Sequence, residues 1–270
     1  MVSRVDRGPV ANWWWTVDRW FLAAFLSLMV LGIVLSFAAS PAVAERIGLS
    51  EFHFVERQIA FVVICAWLFA EHARQPDIPG NLFAIILLGL ALALLVAQPD
   101  LGQTMLVLGT WGAMFFLAGM PWLWIAVLGG LGAAGAVAAY SIFPHVADRI
   151  DRFITGEGDT FQVDTGREAI IRGGWWGEGP GEGTVKRILP DSHTDFIFAV
   201  AAEEFGIVLC FIIVSLFAFV VLRGLRSALR EEDDFVRYAV CGLVVLLGFQ
   251  SVINISVNLQ LMPAKGMTLP

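Results

Sequence analysis

The chain has 270 residues, of which 58% are hydrophobic and only 15% charged, and its mean hydropathy is +0.76. Those proportions exclude an ordinary soluble globular domain, which balances its apolar interior with a polar exterior. A net charge of −7 and a pI near 5.1 exclude a nucleic-acid-binding role, which would need a basic stripe.

A helix needs about 20 mostly apolar residues to cross the hydrocarbon core of a bilayer. The sequence supplies seven such runs, at roughly 20–40, 57–73, 81–98, 101–119, 122–144, 196–222 and 237–259. Long uninterrupted runs favour helices over an outer-membrane barrel, whose strands alternate over short segments. The predicted fold class is all-α, a polytopic transmembrane helical bundle of about seven spans with one long extracytoplasmic loop. In chain order this gives a cytoplasmic segment 1–19, spans one to five within 20–144, the loop 145–194, and spans six and seven within 195–270 with a truncated C-terminus.

Arg4, Arg7 and Arg19 precede span one, Arg74 follows span two, and Arg223, Arg226, Arg230 and Arg237 lie between spans six and seven. With seven spans these sets share one side, which places the N-terminus in the cytoplasm and the long loop outside. The first run lacks the short apolar core and small-residue cleavage site of a signal peptide and reads as a retained span. Trp13, Trp14, Trp15 and Trp20 beside it, and Trp122 and Trp124 at span five, read as interfacial anchors. Gly129, Gly130, Gly132 and Gly135 in span five invite close approach of a neighbouring helix. Cys65, Cys210 and Cys241 lie inside spans without ligand spacing and read as packing residues.

Chemistry concentrates in the long loop and the span that follows it. Between Gly173 and Gly183 the chain is too glycine-rich for a stable helix or strand and offers a backbone that can approach a ligand. It does not continue into the Gly-Lys-Ser/Thr of a P-loop, but Lys186 and Arg187 just after it are candidate phosphate contacts. Asp195 sits at the mouth of span six, with Thr194 and His193 before it. Two roles are open to it: capping the helix, or acting as a carboxylate at the water–lipid boundary that deprotonates a substrate hydroxyl. Glu203 and Glu204 lie about 12 to 14 Å deeper on the same helix, where an acid needs a partner or a function. Gln250, Asn254 and Asn258 share one face of span seven and suit interhelical hydrogen bonds or a ligand. Gln98, Pro99, Asp100, Leu101 and Gly102 form a tight turn between spans three and four.

Four separated blocks together resemble the SEDS family of bacterial cell-wall polymerases, most closely its cell-division branch. They are Gln98 to Gly102; Gly173-Gly174-Trp175-Trp176-Gly177-Glu178-Gly179; His193-Thr194-Asp195-Phe196-Ile197-Phe198 with Glu203-Glu204-Phe205-Gly206; and Asn254 to Asn258 through Pro263-Ala264-Lys265-Gly266. Glu56-Arg57-Gln58 adds support, and the wording from Gly179 to Arg187 is similar to alphaproteobacterial members. The resemblance implies a peptidoglycan glycosyltransferase that polymerises lipid II outside the inner membrane during septal wall synthesis. It implies a class B penicillin-binding protein and other division proteins as partners. It puts the catalytic aspartate at Asp195. The substrate-binding candidates are then Lys186, Arg187, His193, Thr194, Glu203, Glu204, Asp100, Gln98, Asn254, Asn258 and Lys265. No cofactor is evident; a divalent cation, Mg²⁺ or Mn²⁺, or the two basic residues would neutralise the leaving diphosphate. A lipid II flippase and a non-catalytic division scaffold are the alternatives.

The chain departs from the family pattern in two places. After Glu56-Arg57-Gln58, which opens the family's second span, it passes directly into a segment resembling the fourth, without the intervening hairpin. It also stops before the family's last span. Both blocks would wall the substrate chamber, so the expectation is a weakly active or inactive chain.

Overall fold

The computed structural model describes residues 18–38, 53–75, 77–97, 101–142, 144–156, 161–189, 192, 195–263 and 269–270. The described secondary structure is helical: α1 (Arg19–Ala38), α2 (His53–Arg74), α3 (Gly80–Ala97), α4 (Leu101–Leu117), α5 (Trp122–Ile142), α6 (Pro144–Thr155), α7 (Phe161–Gly173), a 3₁₀ turn (Val185–Arg187), α8 (Ile197–Ala228) and α9 (Asp234–Asn258). Each of the seven predicted spans coincides with a helix. α5, α8 and α9 are long and apolar enough to cross a membrane, and shorter apolar stretches run through Trp20–Gly32, Gly80–Val96 and Gly102–Leu117. The loop is more ordered than its composition suggests, because it holds α6 and α7.

α9 is the central helix, packed against α8, α2 and α4, while α1 and α7 lean on α8. Between α2, α4 and α9 the core is aromatic. Trp111 stacks on Phe115 with centroids 4.5 Å apart, and Phe69 meets Trp111 at 5.8 Å and the edge of Tyr238 at 6.4 Å. Buried Gln58 donates to Gln103 and ties α2 to α4. Large apolar side chains such as Leu90, Leu94, Phe211 and Leu222 are exposed, as lipid-facing residues of a membrane bundle are. Cys65, Cys210 and Cys241 are buried and free, and Trp20, Trp122 and Trp124 are exposed.

Among the described residues, no neighbouring helix packs closely on the glycines of α5. A Cβ on Gly129, Gly130 or Gly135 would meet nothing within 4 Å, and one on Gly132 would meet only Leu108, at 3.8 Å. The tight crossings are elsewhere, at Gly224 against Val244 and at Gly242 against Met114 and Val62. Among the described residues, the main packing partner of α5 is α6.

α1 is fixed to α8 by one carboxylate. Asp18 Oδ1 accepts the amides of Trp20 and Phe21, both at 3.1 Å, which caps α1, and its Oδ2 accepts from Arg223 Nε at 2.5 Å. The Arg223 hydrogen bond holds the Asp18 carboxyl below its ordinary 3.8. A depressed acid stabilises the fold above its unfolded value and loses that contribution as pH falls through the folded one. The protection factor of amides in the first turn of α1, taken relative to intrinsic exchange at each pH, is therefore expected to hold from neutral pH to about 5 and to fall below about 4, whereas Asp18→Asn removes that pH response.

Candidate active site at the broken helix

The site is organised by a break in α8. Gly206 has φ 78° and ψ 176°, outside any helix, although it lies in the apolar run Phe205-Gly206-Ile207-Val208. In an unbroken helix the amides of Ile207 and Val208 would bond the carbonyls of Glu203 and Glu204. Here each of the four groups takes a partner from the glycine loop instead. Glu178 N donates to Glu203 O at 2.9 Å and Gly179 N to Glu204 O at 3.0 Å; Ile207 N donates to Gly174 O at 2.9 Å and Val208 N to Trp175 O at 3.4 Å. Irregular backbone is tolerated at membrane depth only where protein supplies such partners. The exchange demands intimate contact: a Cβ on Gly177 would lie 2.1 Å from Glu204 O, and one on Gly206 would lie 2.3 Å from Trp175 O.

The two acids beside the break are buried, Glu203 at 0% and Glu204 at 1% exposure. Glu203 turns back toward the loop, accepting Val185 N at 2.7 Å on Oε1 and Lys186 N at 2.9 Å on Oε2. It thereby supplies acceptors to the open N-terminus of the 3₁₀ turn, where backbone amides have no internal partner. Glu204 Oε1 pairs with Lys186 Nζ. Lys186 is thus engaged by protein, while the side chain of Arg187 is exposed and has no hydrogen-bond or ion-pair partner among the described residues, only its amide bonding, to Thr184 O at 3.4 Å. Arg172 braces the approach to the turn, donating from Nη1 to Thr184 Oγ1 at 2.6 Å and lying 3.8 Å from Glu178.

Asp195 is half-buried, immediately before α8. Its carbonyl accepts from Asn254 Nδ2 and Asn258 Nδ2, both at 2.9 Å, and Asn258 Oδ1 accepts from Ala199 N at 3.2 Å. The amide face of α9 therefore clamps the start of α8 from across the interface. The N-cap position belongs to Phe196, which makes no side-chain cap bond, so Asp195 does not occupy it. One orphan amide of the first turn is served by Asn258 instead. Phe196 enters a buried cluster with Ala169, Val185, Leu189 and Ala199, which brings α7, the basic turn and the mouth of α8 together. Asn258→Leu would leave the Asp195 carbonyl with one side-chain donor fewer and Ala199 N without its acceptor. It is expected to cost about 2 kcal/mol of stability, read as a lowered melting midpoint in detergent.

Of the sequence candidates, Asp195, Lys186, Arg187, Glu203, Glu204, Asn254 and Asn258 converge on this region. His193, Thr194, Gln98, Asp100 and Lys265 lie outside the described residues. Asn254 and Asn258 are buried and hold main chain, so they position Asp195. Among the described residues no three His, Cys, Asp or Glu side chains converge as a metal site would need, and both oxygens of Glu203 are already occupied by amides. The glycine loop's partner was missed in the sequence, where the signal was Gly206 interrupting an apolar run downstream of several other glycines.

Comparison with known proteins agrees with this architecture. A protein described as a probable peptidoglycan glycosyltransferase FtsW, from Caulobacter vibrioides, is 39% identical over 99% of this chain and 87% of its own length. That alignment runs over 338 residues against the 270 of this chain, so the relative carries internal residues without a counterpart here. A protein of the same description from Marinobacter nauticus is 32% identical over 95% of this chain and 68% of its own. Among solved structures, a chain described under structural coordination of polymerization and crosslinking by a peptidoglycan synthase complex superposes with a TM-score of 0.62 at 23% identity, covering 94% of this chain and 76% of that one. The rod shape determining protein RodA of Thermus thermophilus gives 0.51 at 19% identity, over 95% and 90%. These structures share the helical fold. A family model described as cell cycle protein matches residues 59–270. On that match and the identity to the Caulobacter protein, this chain belongs to the cell cycle protein family of FtsW, RodA and SpoVE.

Proposed function

We propose that this chain is a peptidoglycan glycosyltransferase that polymerises lipid II into glycan strands, with Asp195 as its general base. The relatives' description supports the activity. The observation that carries the residue assignment is the clamp. Asn254 and Asn258 fix the main chain of Asp195 while its side chain is left half-buried at the mouth of an apolar helix. That placement suits a substrate whose lipid tail lies in the bilayer and whose sugars stand in water.

In the reaction the acceptor sugar hydroxyl attacks the anomeric carbon of the donor. Its proton passes to the Asp195 carboxylate, the new glycosidic bond forms, and the bond to the diphosphate breaks. Negative charge then collects on the departing undecaprenyl diphosphate, beside which a basic turn is useful. The protein would work in the bacterial inner membrane at the septum, with the N-terminus in the cytoplasm and a class B penicillin-binding protein as crosslinking partner. The transport alternative would use intramembrane acids, and Glu203 and Glu204 are engaged with the loop.

The test is reconstitution of the purified chain with lipid II in liposomes and separation of products by length. Slow polymer is expected rather than robust polymer, because the hairpin that the family resemblance leads one to expect after Gln58 would help wall the chamber. No polymer, alone or with the crosslinking partner, sinks the reading; movement of labelled lipid II across the bilayer without polymer points to transport.

A further inference from the structure

Lys186 and Arg187 are adjacent in one 3₁₀ turn, but their charges are in different situations. The Lys186 side chain is 10% exposed, and its ammonium rests on Glu204, whose side chain is fully buried. Its own amide and that of Val185 are held by Glu203. Were Lys186 to swing toward an incoming anion, it would leave the Glu204 carboxylate without its partner in the interior. The other oxygen of that carboxylate, Oε2, already has no hydrogen bond among the described residues. Burying an unpaired charge is strongly opposed. Arg187 faces no such cost. It is exposed, and its guanidinium presents a planar fork of donors that matches phosphate oxygens two at a time.

We propose that the two basic residues of the turn have divided roles. Lys186 is a positioning residue that ties the turn to the broken helix through Glu204, and Arg187 is the cation that binds the diphosphate of the lipid-linked substrate. The identity of that ligand rests on the proposed function. The division of roles rests on burial and pairing. Because Glu203 holds the turn by its main chain, the turn remains in place when both members of the Lys186–Glu204 pair are made neutral together. The same turn lets go, or carries a stray buried charge, when only one is changed.

The experiment uses the full chain in detergent micelles and two readouts. One is binding of undecaprenyl diphosphate, with undecaprenol and inorganic diphosphate as separate probes; the other is polymerisation kinetics. The variants are Arg187→Ala, Arg187→Lys, Lys186→Met, Glu204→Gln and the double Lys186→Met/Glu204→Gln. Arg187→Ala is expected to weaken binding of the lipid diphosphate about tenfold or more and to raise KM rather than lower kcat, with partial recovery in Arg187→Lys. Lys186→Met and Glu204→Gln are each expected to lower the melting midpoint and activity, and the double variant to regain about tenfold over Lys186→Met.

The inference is overturned if the double variant binds as poorly as Lys186→Met, which would make the lysine itself the ligand. It is also overturned if Arg187→Ala binds like the wild type, or if the wild-type chain binds the lipid diphosphate no better than undecaprenol. Binding that follows the predicted order in a chain that makes no polymer would leave the division of roles standing and remove the catalytic reading instead.

Discussion

Asp195→Asn is expected to reduce the polymerisation rate by on the order of 10² to 10⁴, the range in which a positioned base contributes, while leaving the folded protein nearly as stable as before. The substitution keeps the size and shape of the side chain and removes its charge and its ability to take a proton. The main-chain clamp is untouched, because Asn254 and Asn258 donate to the carbonyl of residue 195 and not to its carboxylate. The opposing idea is that Asp195 is an architectural residue at a helix start. That idea predicts the reverse pattern, a stability loss of about 0.5 to 2 kcal/mol with the rate per folded molecule preserved. The N-cap position is Phe196, without a side-chain cap bond, so a loss of that kind would have to come from another contact of Asp195. Measuring rate per folded molecule and melting midpoint on the same preparation separates the two. A variant that polymerises within about tenfold of the wild type would end the assignment of Asp195 as the base.

The spans were legible in the sequence because hydropathy reports the transfer of side chains into lipid, and each of α1 to α5, α8 and α9 is bounded by polar, proline or glycine residues. The break in α8 was not, for the same reason. Phe205, Gly206, Ile207 and Val208 keep the apolar score high, and hydropathy is silent about whether the main chain behind those side chains is hydrogen-bonded. The information lay in a pairing of two glycine-containing segments about 30 residues apart, which no local period reveals. α6 was legible in principle: Val146, Ile150, Phe153 and Ile154 recur at helical spacing, with Asp148, Arg149, Asp151 and Arg152 between them. The loop's mixed charge obscured that pattern.

At the site, the sequence identified the members better than the contacts. Two acids inside a span had to find partners, and both did. That one partner would be an ammonium and the other a pair of main-chain amides depends on how the loop folds back over α8. The stripe on α9 was recognised as one face through its four-residue spacing. Its target is the carbonyl of Asp195, a main-chain atom that a sequence does not distinguish from any other.

Gly177→Asn and Gly174→Asn are expected to behave very differently, and the difference tests whether the glycine loop closes the helix break. Both glycines have positive φ, 81° and 52°, and Asn is among the side chains that tolerate the left-handed region best. Backbone preference therefore penalises the two substitutions similarly. Space does not. A Cβ at 174 meets nothing within 4 Å, whereas one at 177 would lie 2.1 Å from Glu204 O, 2.4 Å from Glu204 C and 2.5 Å from Phe205 N. These are main-chain atoms, so no rotamer change relieves the contact, and the loop must lift. Lifting it strips the carbonyls of Glu203 and Glu204 of the amides of Glu178 and Gly179. An unpaired buried polar group costs about 1 to 3 kcal/mol, and more in lipid. Gly174→Asn should therefore cost about 1 kcal/mol or less, and Gly177→Asn upwards of about 3 kcal/mol. In hydrogen exchange, Gly177→Asn should expose residues 174–189 and 197–208 while leaving α2 to α4 protected. Because the displaced segment carries the Lys186–Arg187 turn, polymerisation should fall with it. Equal effects at the two positions, or a Gly177→Asn variant that keeps 197–208 protected, would mean that the freed groups of α8 are satisfied by something other than this loop.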